Sequence, residues 1–503
     1  MIKKNLIVAI LLCFVFGYLL ILQVQAIWPF TIDDMYISLR YAKHWVAGHG
    51  VLWNIGEEPV EGYSNFSFVA LAALAIKLGF NPITLLKSLG VMGLVLSAIS
   101  LYYLSRFWFS AWIAFIPCIW LLLYKGEILW SVSGLETTFY QGVICLALVF
   151  LFRGMGYQFF SKQREEANTL YWILAAFLLA IAALTRPDAP AFILIFYGLA
   201  LFDRPKNQVR DYYKGLFLSS AILALLFMPY FFWRWHYYGR LFPNAVYCKG
   251  FISSSLTLDL IYLELIWPFV VLALPAIVKA KDKRHYFLWL PSLVYLGLLV
   301  GADPIVAFAN RLFLAAFILL LPLTLQGMSD VISYCMPENE RMRSIALTIV
   351  ALLFAFFFIP KMTLTNYRYF AINPQEGIQL RQQVVEWLNS NVLPNSRVVL
   401  ADSGQVPYAS SLNFIDSYCL NNKKMTEPST QNMFSWLCDE IFKTKPEVII
   451  LTSLKVGDKV IYTPVDFCLK MALKNNHMYK FGAYFKTNNQ NSSYRYEIYT
   501  LLN

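Results

Sequence analysis

Long apolar runs recur along most of the chain, separated by short polar loops, and each is read as a helix crossing roughly 30 Å of hydrocarbon. They predict crossings near residues 5–26, 85–105, 107–124, 138–152, 170–185, 190–202, 215–233, 260–278, 286–301, 311–327 and 344–360. Basic residues gather between them: at Lys3 and Lys4, at Arg106, over 153–164, 204–214 and 279–284, and at Arg341 and Arg343. Alternation through these eleven crossings puts every basic loop on one side, which the positive-inside bias makes the cytoplasm. A further apolar run at 64–79 would break that alternation if it crossed, so it is expected to be re-entrant or interfacial. The first run exceeds the roughly 7 to 15 residues of a signal-peptide core, which favours a retained anchor.

The pattern changes after Pro360. Residues 375–389 have helical periodicity, a turn follows at Pro394, and residues 397–401 and 448–452 read as short buried strands. The expected architecture is an α-helical polytopic membrane protein with about eleven crossings plus the re-entrant or interfacial segment, and a small C-terminal α/β domain. Residues 1–360 form the transmembrane part, with a first outer loop at 27–63. Residues 361–503 form a soluble domain that parity places outside the cytoplasm.

Composition excludes a soluble globular protein: 58% of residues are hydrophobic, 17% aromatic and 14% charged, with mean hydropathy +0.54. The net charge of +11 would suggest a polyanionic partner in a soluble domain. Here the cations occupy the loops, so they report topology and imply no nucleic acid. Cys13, Cys118 and Cys145 fall in expected membrane helices, and Cys335 on the cytoplasmic side. Cys248, Cys419, Cys438 and Cys468 lie outside, where a disulfide is allowed, but spacing fixes no pairing. No His or Cys spacing indicates a metal site.

The most informative polar segment is Thr31-Ile-Asp-Asp-Met-Tyr-Ile-Ser-Leu-Arg-Tyr41, which sets two carboxylates beside the outer membrane face. A helix starting here aligns Asp33, Tyr36, Ile37, Arg40 and His44, with Asp34, Ser38, Tyr41 and Trp45 on the adjacent stripe. Neighbours on a helix diverge by roughly 100°, so Asp33 and Asp34 are expected to have different tasks. Helix capping by Thr31 and Asp34 is the simpler account of the acids. It leaves unexplained the following loop, which holds Gly48-His-Gly50, Trp53-Asn54, Gly56-Glu-Glu58 and Glu61-Gly-Tyr63. Carboxylates and amides suit sugar hydroxyls, and aromatic rings suit the C–H faces of a sugar.

These segments resemble the first external loop of the GT-C integral membrane glycosyltransferases, closest to the branch of the mycobacterial terminal β-1,2-arabinofuranosyltransferase. Ser133-Gly-Leu-Glu-Thr137, Leu184-Thr-Arg-Pro-Asp188 and Tyr237-Tyr-Gly-Arg-Leu-Phe-Pro-Asn244 with Tyr247 and Lys249 extend the likeness in the same order. In the C-terminal part it is carried by Asp402-Ser-Gly404 and Ile415-Asp-Ser-Tyr418. The resemblance implies inverting transfer of a sugar, arabinofuranose by likeness, from a polyprenyl-phosphate co-substrate to an extracytoplasmic glycan, lipid or protein. Asp33 is implied as the base, with Asp34 as its alternative. A divalent cation could join the two carboxylates and Glu136 if folding brings them together.

Substrate contacts are expected from Tyr36, Arg40, His44, Trp53, Asn54, Glu61, Tyr63, Glu136, Arg186, Asp188, Arg240, Asn244, Lys249 and Arg311. Arg186, Arg240, Lys249 and Arg311 are the phosphate candidates. Some have a structural alternative, a capping box for Glu136 and a pair locking a helix turn for Arg186 and Asp188, and Arg234, outside this set, is expected to snorkel at the interface. A transporter or lipid-linked glycan flippase is the rival function. It would place ionisable residues in mid-membrane, whereas the charges here cluster at the outer edge. A membrane-anchored sensor would not need so many crossings.

Overall fold

A proline decides where one pair of apolar runs separates. Arg186 precedes Pro187 and is extended (φ −147°, ψ 143°), because the proline ring crowds the residue before it out of the helical region. It ends the helix Thr169–Thr185, and the next helix, Ala189–Phe202, begins with proline in its first turn. The computed structural model describes residues 15, 17–161, 163–205, 209–249, 255–279, 282–304, 306–336, 339–426, 433–488 and 492–502. Lys3, Lys4, Cys13 and the first half of the first expected crossing lie outside the described residues.

Among the described residues six helices are long and apolar enough to cross a membrane: Pro82–Ser105, Thr137–Gly154, Val209–Tyr238, Thr257–Lys279, Arg311–Cys335 and Glu340–Phe358. A seventh span results if Phe115–Leu123 and Lys125–Val132, bent by 69°, act as one broken helix. The break is at Tyr124, whose ψ of 121° is extended. Thr169–Thr185 and Ala189–Phe202 reach only roughly 26 and 21 Å at about 1.5 Å per residue, less than the hydrocarbon thickness. The helix Phe66–Lys77, within the run expected to be re-entrant or interfacial, reaches roughly 18 Å. Among the described residues the expected crossings thus correspond to six or seven helices that meet the length criterion by themselves. The protein is a mostly helical integral membrane protein with a small C-terminal mixed sheet.

The chain divides into two compact units. One comprises 1–28, 87–231 and 253–367. Its most enclosed long helices are Thr137–Gly154 and Arg311–Cys335. Small residues allow close backbone approach there: a Cβ at Gly93 would overlap the backbone of Thr138 and Phe139.

The other unit comprises 29–86, 232–252 and 368–503, so the loop after the first apolar run folds with the C-terminal segment. Its helix Asp34–Val46 ends where Gly48 takes a left-handed φ of 85°. Its sheet contains β1 (Arg397–Leu400), β2 (Asn413–Asp416), β3 (Val448–Val456), β4 (Lys459–Tyr462), β5 (Tyr479–Lys486) and β6 (Ser492–Leu501). The order is β2-β1-β3-β6-β5, with β4 also paired to β3. β1 lies parallel to β2 and β3, and its Val398, Val399 and Leu400 are buried, as expected of a central parallel strand. β6 runs antiparallel to β3 and β5.

Candidate functional site

Asp33 occupies the N-cap of Asp34–Val46 but makes no side-chain capping bond. Its carboxylate turns instead to the C-terminal segment of the same unit. Oδ1 accepts the Gln405 backbone N–H at 3.0 Å and pairs with Arg381 Nε at 3.1 Å. Arg381 Nη2 donates to Asp402 Oδ2 at 3.3 Å. Asp402 in turn accepts from the Tyr494 hydroxyl at 2.7 Å and from the Tyr496 hydroxyl. Two-residue periodicity along β6 puts both tyrosines on one face. Among the described residues Oδ2 of Asp33 has no hydrogen-bond donor, so one oxygen is anchored and the other open. Burial raises the Asp33 carboxyl to about 6, opposed by Arg381 and reinforced by Asp402. Gly404 makes the approach possible, since a Cβ there would overlap the Asp33 carboxylate and backbone.

Asp34 faces elsewhere. Its Oδ2 lies 3.4 Å from Lys249 Nζ. The two acids therefore take different partners, as their angular separation on a helix requires. Lys249 follows Cys248, which is disulfide-bonded to Cys419 across 171 residues of sequence. The Cys419 side of this link is held by Asp416, a buried carboxylate that accepts from Ser403 Oγ (2.6 Å) and the backbone N–H groups of Tyr418, Cys419 and Asn421. Cys248→Ser is expected to lower stability by about 2–5 kcal/mol, the usual cost of losing a disulfide that closes a long loop. Denaturant unfolding with and without reductant measures it: reductant should weaken the parent protein and leave the variant unchanged.

Several residues expected to contact substrate are occupied by the fold. Arg40 donates from Nε to Trp53 O (2.9 Å) and from Nη2 to Leu412 O (2.9 Å), and also bonds Pro407 O. Its guanidinium lies 4.8 Å from the Trp53 ring centroid. Trp53 Nε1 and Asn54 Nδ2 both donate to Phe414 O, and Asn54 Oδ1 accepts Phe414 N–H. His44 is bonded to Leu52 O through Nδ1, and burial pushes it down to about 4, so it is neutral at pH 7. Tyr63 and Tyr238 share a hydroxyl contact of 3.1 Å. Tyr36 packs beside Tyr408, and burial raises its phenol to about 12. Arg234, expected to snorkel at an interface, is instead buried and forked onto Glu61. Arg240 holds Asn244 Oδ1 (2.9 Å) and Lys423 O (3.0 Å), while Asn244 Nδ2 reaches Cys419 O and Leu420 O.

The helical unit contains a separate ion cluster. Glu136, Arg186, Asp188 and Arg311 converge there. Arg186 pairs with Glu136 Oε1 at 3.0 Å and with Asp188 Oδ1 at 2.8 Å, and Arg311 reaches the same Glu136 oxygen at 3.3 Å. Tyr295 donates to Asp188 Oδ2, Tyr140 lies beneath the Arg186 guanidinium, and Trp130 lies beneath that of Arg311. Two cations and two anions make the cluster neutral, which is how buried charges are tolerated. Among the described residues no group of three His, Cys, Asp or Glu side chains is disposed to hold a metal ion.

Arg381, Asp402, Gln405, Tyr494 and Tyr496 were not anticipated as neighbours of Asp33, although Asp402-Ser-Gly404 carried part of the family likeness. The alternation Tyr494, Tyr496, Ile498 is the other local signal, since it marks a strand with an aromatic face.

A family described as "Domain of unknown function (DUF8728)" matches residues 366–499. Among curated proteins, none matches the sequence. Solved structures do resemble it. ArnT from Cupriavidus metallidurans aligns at a TM-score of 0.55 and 13% identity, over 99% of this chain and 98% of its own. The oligosaccharyltransferase AglB from Archaeoglobus fulgidus gives 0.55 at 10% identity, over 89% of this chain and 74% of that one. The mycobacterial arabinofuranosyltransferase AftD gives 0.51 at 13%, over 97% of this chain but only 41% of that one. The fold of this chain is that of the GT-C membrane glycosyltransferases.

Proposed function

We propose that this protein is a glycosyltransferase that moves a sugar from a polyprenyl-phosphate donor to an acceptor outside the cytoplasm, with inversion, and that Asp33 is its base. The observation that carries this reading is the half-anchored carboxylate: Oδ1 fixed by Arg381 and Gln405, Oδ2 without a donor among the described residues. The fold likeness supports it. ArnT has been solved bound to undecaprenyl phosphate, and AglB with a dolichol-phosphate and an inhibitory peptide.

In the proposed step an acceptor hydroxyl oxygen attacks the anomeric carbon while its proton passes to Asp33 Oδ2. The bond from that carbon to the donor phosphate breaks, and the polyprenyl phosphate leaves with the electron pair. Geometry for proton transfer comes from the Arg381 and Asp402 frame, and a carboxyl near 6 ionises below neutral pH yet remains basic. Lys249 is the proposed cation for the departing phosphate, exchanging Asp34 for it. Arabinofuranose is the proposed sugar on likeness to AftD alone.

The test is turnover by purified full-length protein supplied with polyprenyl-phosphate sugars and a glycan acceptor, read as released polyprenyl phosphate. Absence of release across pentofuranosyl and hexosyl donors overturns the reading.

The pH dependence has a definite sign. Below about 6 the Asp33 carboxyl is protonated and cannot accept a proton, so kcat/KM should fall as pH drops through that value. Stability should move the other way. The folded value lies above the ordinary 3.8, so between about 4 and 6 the folded chain binds more protons than the unfolded one. This contribution to stability is therefore lost as pH rises through the window. Rate and melting profiles across pH 4 to about 8 should show opposing trends, both absent in Asp33→Asn.

A further inference from the structure

Glu127 and Gln141 are fully buried in the helical unit, on Lys125–Val132 and Thr137–Gly154. Gln141 Nε2 donates to Glu127 Oε2 at 3.1 Å. The other oxygen of each group, Glu127 Oε1 and Gln141 Oε1, has no hydrogen-bond partner among the described residues. No ion pair with Glu127 occurs among them either. An ionised carboxylate held by one amide donor in a buried site is costly. Both orphaned atoms are acceptors, so neither can satisfy the other while the carboxyl is charged.

Two tyrosines on the same elements are already engaged. Tyr124, at the helix break, donates its hydroxyl to Ala309 O and accepts from Asn310 Nδ2. Tyr140, beside Gln141 in sequence, shares its hydroxyl contact with Tyr295. A single proton on Glu127 Oε1 meets both deficits, because it turns that oxygen into a donor and gives Gln141 Oε1 the donor it lacks.

We infer that Glu127 is a proton-binding site, and that the bound proton closes a reciprocal acid–amide pair with Gln141 which fastens Lys125–Val132 to Thr137–Gly154. The turn between these helices leads into Glu136, so the pair also steadies the base of the buried ion cluster. This inference is independent of the transferase reading.

Infrared difference spectra of the purified full-length protein in D2O, parent minus Glu127→Gln, test it. The protonated-carboxyl carbonyl band should disappear in the variant. Its melting midpoint should stay unchanged, since a glutamine at 127 can pair reciprocally with Gln141. Gln141→Leu should shift the same band toward the frequency of an unbonded carboxyl and lower the midpoint, which keeps the test valid even if the first variant folds poorly. Loss of a carboxylate band instead of a carboxyl band would overturn the inference. So would a midpoint that rises when sodium replaces choline in the parent but not in Glu127→Gln, since a metal cation would then fill the place given to the proton.

Discussion

Asp33→Asn is expected to cut the transfer rate by about 10²–10⁴-fold, the range general-base catalysis contributes, while the protein still inserts and folds and melts no lower than the parent at neutral pH. The substitution keeps the shape of the side chain. An asparagine carbonyl can still accept the Gln405 N–H, and Arg381 retains Asp402 as its counter-charge. What disappears is the ability of Oδ2 to take up a proton. Asp33→Glu should not rescue the rate, because the backbone at Gly404 leaves no room for a longer side chain in this position. Single-turnover release of polyprenyl phosphate measures the loss. A normal rate in Asp33→Asn would remove the base from this residue and transfer the role to Asp34, whose contact with Lys249 would then need a different explanation.

Glu136→Gln should lower stability by about 3–5 kcal/mol, as breaking a buried ion pair does when the partner charge stays behind. Two arginines share one oxygen of this carboxylate, and its side chain is 2% exposed. Removing the negative charge leaves Arg186 with Asp188 alone and brings it into repulsion with Arg311. Arg186→Gln combined with Glu136→Gln should recover part of the loss, because the double variant restores charge balance. Thermal and denaturant unfolding in one detergent measure both variants. A parent-like melting profile in Glu136→Gln together with lost turnover would instead give the carboxylate a role toward substrate.

Much of the fold was legible because hydrocarbon imposes a strong pattern. Apolar length identified the six long helices, and the periodicity after Thr31 located the helix that presents Asp33. The apolar runs at 397–401 and 448–452 marked β1 and the first half of β3, while the extension of β3 to Val456 through Ser453 and Lys455 was not visible. β5 and β6 were not, since Tyr479–Lys486 mixes lysine and glycine among aromatics and Ser492–Leu501 carries Arg495 and Glu497 on its polar face. The break at Tyr124 falls where the expected crossing at 107–124 ends, but the helix Lys125–Val132 that continues beyond it was not foreseen, because Lys125 and Glu127 interrupt the apolar run.

Site chemistry was legible only where it was local. The divergence of Asp33 and Asp34 follows from helix geometry, and the pairing of Arg186 with Asp188 follows from their spacing. The Arg381 and Asp402 frame joins segments some 350 residues apart, a distance over which no single-sequence period operates. Arg40 was expected to contact substrate and Arg234 to snorkel at an interface. Only tertiary packing shows each of them surrounded by carbonyl or carboxylate oxygens.

The tyrosines that fasten Asp402 belong to β6, whereas the acid they ultimately steady, Asp33, lies more than 400 residues earlier in the chain. A nascent chain emerges from its N-terminal end first, so the early carboxylate waits, unbuttressed, until the final hairpin has zipped onto the sheet. Premature termination anywhere before residue 494 is therefore expected to leave Asp33, the proposed base, without the frame that holds it.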